Sequence, residues 1–273
     1  MSTDITLIAF VFLATLSSGL LGAAALAVCR GEEPRSALLE VGAGSVLLAA
    51  AGGVSLLSLG HPEMFLGALS HVGTGIFWEL LGSLVALAAA VIFLILCLRD
   101  EEGTLVSILI SLSALGALMV VFGVGRSFLM PWRAAWNSLS IPEVFLGFAL
   151  ACAANFYLFK ASREKNEEPL ATWIKVLAAA LAPLFMALYF VHLNGTTSPE
   201  GESLLLAAVS GSSGILTWVM VVLGVLVPSF LILSKIKQSG LYLLGALFAA
   251  AGAGIYQFIL FTLDTPAWQF FVR

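Results

Sequence analysis

Hydrophobic residues in this chain come in blocks rather than alternating. The blocks run at approximately 5–29, 37–59, 75–98, 104–124, 141–160, 170–193, 212–234 and 240–262. Each is about twenty residues long, the length of helix that crosses a bilayer core. Between them lie short separators rich in Pro, Gly and charge: CRGEEPR, LGHPE, RDEEG, RSFLMPWRAAWNS, KASREKNEEP, NGTTSPEGES and SKIKQSG. Lipid offers no hydrogen bonds to a peptide group, so a spanning backbone is either helical or a closed barrel. Ten-residue alternating strands, the mark of a barrel, are not the pattern here. The expectation is an all-α polytopic bundle of eight transmembrane helices, one integral membrane domain over residues 1–273. Residues 203–211 are apolar but short, and read as an interfacial or re-entrant piece before the seventh helix.

Composition agrees. Of 273 residues, 60% are hydrophobic and 10% charged, against roughly 25% charged in a soluble domain. Mean hydropathy is +1.07. The net charge of −4 is spread over short loops, and no basic block suits nucleic acid. Cys29, Cys97 and Cys152 lie in or beside apolar runs, form no CxxC pair, and read as small packing residues. The N-terminus lacks a cationic leader region, and the first run is too long for a signal core, so it reads as an uncleaved helix.

The distribution of Lys and Arg sets an orientation. Arg30, Arg35, Arg99, Lys160, Arg163, Lys165, Lys235 and Lys237 fall in the odd-numbered loops; Arg126, Arg133 and Arg273 fall on the other side. The positive-inside rule then places both termini outside, which is the periplasm for an inner (cytoplasmic) membrane.

Residues able to do chemistry collect on that outer side. Loop 2 and the start of the third run hold His61, Glu63, His71, Trp78 and Glu79. Loop 4 holds Arg126, Trp132, Arg133, Trp136 and Asn137. Glu143, His192, Asp264 and Trp268 lie near the same face. Taken singly, each has an ordinary reading: interfacial Trp anchors in headgroups, and charges at helix ends are solvated. Glu79 is the sharpest exception, because an ionisable group inside a span faces a partner or a wet cavity. Facing histidines at one depth, as a bis-His haem needs, are not evident. His61-Pro62-Glu63 is a poor zinc pattern. A quinone site fits better: an apolar slot, polar groups for the ring hydroxyls, and a His or Glu to take the proton.

The residues also resemble a family. The run Ser55-Leu-Leu-Ser-Leu-Gly-His-Pro-Glu63, with Ala68, Gly73 and Trp78-Glu79 after it, is similar to the loop-2 region of the dimethyl sulfoxide reductase membrane anchor (DmsC-type) family. Gly125-Arg126-Ser127-Phe128, Pro131 and Ala135-Trp136-Asn137-Ser138 resemble its loop-4 segment. Eight helices and outside termini fit as well. The resemblance implies a non-catalytic anchor for a four-cluster iron–sulfur subunit and a molybdopterin catalytic subunit. Such an anchor oxidises menaquinol in anaerobic respiration and carries no haem. It points to His61, His71, Glu79, Arg126, Trp136 and Ser58 around the quinol. Ser58 stands where the family has a histidine. Either His61 or His71 does that histidine's work, or the contacts lie elsewhere. Competing readings are a polysulfide-reductase-type quinone-interacting subunit, a purely structural anchor, and a transporter, for which Pro183 and Pro228 are candidate helix breaks.

Overall fold

The computed structural model describes residues 2–58, 67, 70–99, 101, 103–131, 133–164, 170–197, 203–210, 214–234, 236 and 238–263. His61, Glu63, Trp132, Asp264 and Trp268 lie outside these residues. The long helices are α1 (Ser2–Cys29), α2 (Leu38–Ser58), α3 (Gly75–Leu98), α4 (Thr104–Ser127), α5 (Ser140–Arg163) and α6 (Thr172–Asn194). There follow α7 (Leu204–Ser210), α8 (Gly214–Val219), a π-helical segment (Met220–Leu226), α9 (Val227–Leu233) and α10 (Ser239–Thr262). Among the described residues there is no extended strand. Among the described residues eight segments are long and apolar enough to cross a membrane, with α8, the π segment and α9 forming one of them. The fold is thus an all-α polytopic membrane bundle.

The expected short piece before the seventh span is α7. It packs on α6 and α8. Thr217 of α8 donates to the Ala208 carbonyl at 2.8 Å, and Leu204 N–H donates to the Thr196 carbonyl at 2.9 Å. The two candidate breaks behave differently. Pro183 sits inside a continuous α6. Pro228 lies in the first turn of α9, two residues past the end of the π-helical segment. A proline has no N–H to give and crowds the preceding turn, and a wide π turn is one way to absorb both defects.

α5 lies at the centre, with 72% of its apolar window buried, whereas α2 and α6 are peripheral at 28% and 22%. α1 touches α2, α4, α5 and α10 and joins the two halves of the chain. Its small polar residues do the tying: Ser17 donates to the Gly44 carbonyl at 2.8 Å and Ser18 to the Ala117 carbonyl at 2.8 Å. Ser113 of α4 donates to the Ala86 carbonyl of α3 at 3.0 Å. Fully buried Asn155 donates to the Pro228 carbonyl at 3.3 Å. The cysteines are free thiols; Cys97 and Cys152 are buried and Cys29 is exposed.

α3 and α4 approach most closely, because glycine faces glycine. A Cβ at Gly82 would stand 2.6 Å from the Gly116 carbonyl oxygen, and one at Gly116 would stand 2.6 Å from the Ala86 nitrogen. At the α5 C-terminal end, Lys160 pairs with Glu32 at 3.0 Å and donates to the Ser36 hydroxyl at 3.0 Å. Tyr157 donates to Glu32 at 3.1 Å. Loop 1 is therefore fastened to the end of α5, and loops 2 and 4 lie at the opposite end of the bundle.

Gly116→Leu should destabilise the bundle by about 1–3 kcal/mol through overpacking, read as a lower unfolding temperature in detergent. Gly42→Leu, where a Cβ meets nothing within 4 Å, should leave that temperature unchanged.

Candidate functional site

Two chain segments build one end of the bundle, beginning with the start of α3. The Thr74 side chain caps the helix, accepting from Phe77 N–H at 3.3 Å, and its hydroxyl donates to the His71 carbonyl at 2.9 Å. Such a cap satisfies an otherwise orphaned helix donor and fixes where α3 begins. It also sets the depth of Glu79, one turn into the helix. Opposite lies the end of α4. Gly75 and Gly123 let the two backbones touch: a Cβ at Gly75 would collide with Ser127, and one at Gly123 would stand 2.6 Å from the Glu79 nitrogen. That approach brings Ser127 into reach, and its hydroxyl donates to Glu79 Oε1 at 2.9 Å.

Loop 4 then folds over this end. The Trp136 indole N–H donates to the Leu260 carbonyl of α10 at 2.8 Å. Phe128 stacks edge-on against Trp136, with centroids 4.9 Å apart, and against Phe261 at 5.5 Å. The Arg133 guanidinium lies 4.0 Å over the Trp136 ring. Tyr189 donates to the Ala135 carbonyl at 3.2 Å. His192 Nε2 sits 3.1 Å from the Ala134 carbonyl oxygen, a hydrogen bond when that nitrogen carries the proton. The loop is thus bound to both α6 and α10.

Beneath the loop is a cavity of about 260 Å³. α1 contributes Leu7 and Phe10; α2 contributes Gly52 and Ser55; α3 contributes Ile76, Glu79, Leu80 and Ser83. Val124, Ser127, Phe128 and Trp136 complete it with Gln257 and Phe261 of α10. The walls are mostly apolar with a few polar groups, the usual make-up of a small-molecule site. Several of those polar groups are already engaged. Ser83 donates to the Glu79 carbonyl at 2.8 Å, and the Trp136 N–H is held by Leu260. The Glu79 carboxylate and the Gln257 amide are among the polar side chains on its wall. Gln257 is 2% exposed and its Oε1 has no hydrogen-bond partner.

The structure brings Glu79 and Trp136 together on this cavity. His71 and Arg126 fall elsewhere. His71 is exposed in the turn before α3 and is not on the wall. Arg126 is in the last turn of α4, off the wall, with its Nε buried and unbonded. Ser58 is the last residue of α2, one turn beyond the wall residue Ser55. His61 is outside the described residues. Trp78 packs on Phe77 and Phe122 along the α3–α4 flank. The sequence reading missed Gln257, Ser127, Phe128 and Phe261. A lone amide in the apolar run 240–262 was the available signal for Gln257. Nothing in the sequence paired Ser127 with Glu79. Among the described residues, no three His, Cys, Asp or Glu side chains converge as a metal requires. No protein-family model matches this chain, and no curated protein matches it.

Trp136→Phe should cost about 1 kcal/mol by leaving the Leu260 carbonyl unpaired and lower the unfolding temperature. Gln257→Leu removes an unpaired buried amide and should hold or raise it, measured in the same detergent assay.

Proposed function

We propose that this chain is the quinol-oxidising membrane anchor of a dimethyl sulfoxide reductase-type molybdoenzyme complex in the inner (cytoplasmic) membrane, with both termini outside. The observation that carries the reading is the cavity at the loop-2 and loop-4 end. Among the described residues it is a largely apolar slot with the carboxylate of Glu79 and the buried amide of Gln257 on its wall. That donor set suits a neutral, hydroxylated ring with an apolar tail, and menaquinol is such a molecule. The resemblance of the loop-2 and loop-4 runs to the anchor family supports the same reading.

In this mechanism Leu7, Phe10, Ile76 and Phe128 receive the ring, and loop 4 shields it from water. Glu79 accepts a ring-hydroxyl proton. The Ser127 hydroxyl orients the carboxylate and steadies its charged form. Oxidation of one quinol to quinone releases two protons and two electrons. The protons leave by the outer end, where Glu79 sits in the first turns of α3. The electrons pass to the iron–sulfur subunit, which supplies the molybdopterin subunit. A polysulfide-reductase-type subunit would use the same cavity in the same way and differ in its partners. The transporter reading finds a distorted seventh span at Met220–Leu226. Transport sites, however, lie near the midplane between repeats, and this cavity lies at one end.

Glu79→Gln should lower quinol-linked reductase activity of the purified complex about a hundredfold, the scale of a lost general base. Activity with an artificial electron donor that bypasses this subunit should be unchanged. Equal loss of both activities, or of neither, would rule out a proton-accepting role for Glu79. For the orientation, single cysteines at Thr74 and Asn137 should react with an impermeant maleimide from outside intact cells, and one at Glu33 only after lysis. Labelling of Thr74 and Asn137 from opposite sides would end the model.

A further inference from the structure

The cavity is small for the whole of the molecule assigned to it. Pockets that take a drug-sized ligand run to roughly 300–1,000 Å³, and this one measures about 260 Å³. A ring head suits such a space; a long polyprenyl tail does not fit in beside it. The tail must leave through a wall. Much of the wall is closed, since Phe10, Leu80, Val124, Phe128, Trp136 and Gln257 are buried in the packed bundle.

The α2 side differs. α2 is peripheral, and both of its wall residues, Gly52 and Ser55, are half-buried. The neighbouring α3 contributes half-buried Ser83 and Ile76, which is 43% exposed. Leu7, Ser127 and Phe261 are half-buried too, but stand near helix ends. Gly52 and Ser83 are set deeper, about 9 and 12 Å from the loop-2 ends of α2 and α3 at 1.5 Å per residue. That depth lies within the spans Pro34–Leu57 and Gly75–Leu98, where hydrocarbon is the solvent. At Gly52 the wall is bare backbone. An added Cβ would meet nothing within 4 Å, unlike one at Gly82 or Gly116, where a neighbouring backbone is in the way.

We propose that the seam between α2 and α3 at Gly52 is the path of the quinol's tail, and that Gly52 is the residue that sets specificity for it. With no side chain at that position, an apolar chain runs from the ring in the cavity to the surrounding lipid. This rests on the quinol reading. The ligand class it selects is a quinol with a long polyprenyl tail, its ring held by the cavity and its tail by the bilayer. Gly52→Leu puts a branched apolar side chain into the seam. Leucine is also a better helix former than glycine, so the substitution favours α2 rather than breaking it. Gly53 is the control: it is exposed, off the wall, and an added Cβ there also meets nothing within 4 Å.

The test is anaerobic titration calorimetry of the full chain in lipid nanodiscs. A tailless methyl-naphthoquinol is titrated alone, and again in nanodiscs loaded with the same ring bearing a polyprenyl tail, which gives the ratio of the two affinities. On the unmodified chain the tailed quinol should displace the tailless one. In Gly52→Leu the ratio should shift about tenfold toward the tailless ring, equivalent to about 1.4 kcal/mol. Gly53→Leu should keep the unmodified ratio. A folded Gly52→Leu chain with the unmodified ratio, or with both affinities lost together, would overturn the tail path and leave the quinol site standing. So would a Gly53→Leu chain that shifts the ratio as far. Should Gly52→Leu not fold, an unchanged ratio in Gly52→Ala overturns the path equally. Saturable binding of neither quinol to the unmodified chain would overturn both this inference and the quinol reading.

Discussion

Inside a bilayer no water is present to take up an unmade hydrogen bond, and every feature of this protein follows from that constraint. It forces the backbone into helices, because only a helix bonds its own peptide groups within one segment. It also governs the side chains. Ser17, Ser18, Ser113 and Asn155 each bond a backbone carbonyl on a neighbouring helix. Such bonds hold helices together where lipid tails, as apolar as leucine, give no hydrophobic reason to associate. A polar group that departs from this pattern is conspicuous. Glu79 has a hydroxyl on one oxygen and a cavity beside it, and Gln257 has a cavity and no partner on its oxygen.

The same packing that stabilises the bundle places the site. α3 and α4 touch along glycines, and the close approach at the loop-4 end, between Gly75, Gly123 and Ser127, is what lets a serine hydroxyl reach Glu79. Wider helix separation would leave the carboxylate without its donor. Loop 4 is a rigid cover rather than a loose connection. Trp136 is bonded to α10, Ala135 is bonded to α6, and Phe128, Trp136 and Phe261 form one aromatic cluster. A largely apolar space with a carboxylate on its wall has the make-up of a small-molecule site.

Two neighbouring features show how far sequence distance misleads. His71 is only eight residues from Glu79, yet the Thr74 cap turns the chain there, leaving the histidine outside on an exposed turn. Gln257 is far along the chain and shares the cavity with Glu79. Arg126 and Ser127 are adjacent, and only Ser127 is on the wall, because successive residues on a helix point about 100° apart.

The sequence by itself determined the spans. The run at 75–98 is Gly75–Leu98, and the run at 240–262 is matched by Ser239–Thr262, because length and hydropathy are properties of a segment and need no knowledge of its neighbours. It also marked Glu79 and Trp136 as unusual, because their chemistry conflicts with their surroundings in the chain. Which helix faces lie together was decided only in three dimensions. The Ser127–Glu79 bond, the Trp136–Leu260 bond and the placement of Gln257 beside the cavity depend on the rotation and separation of packed helices. Side-chain volumes from several distant segments set those jointly, so no single stretch of sequence carries them.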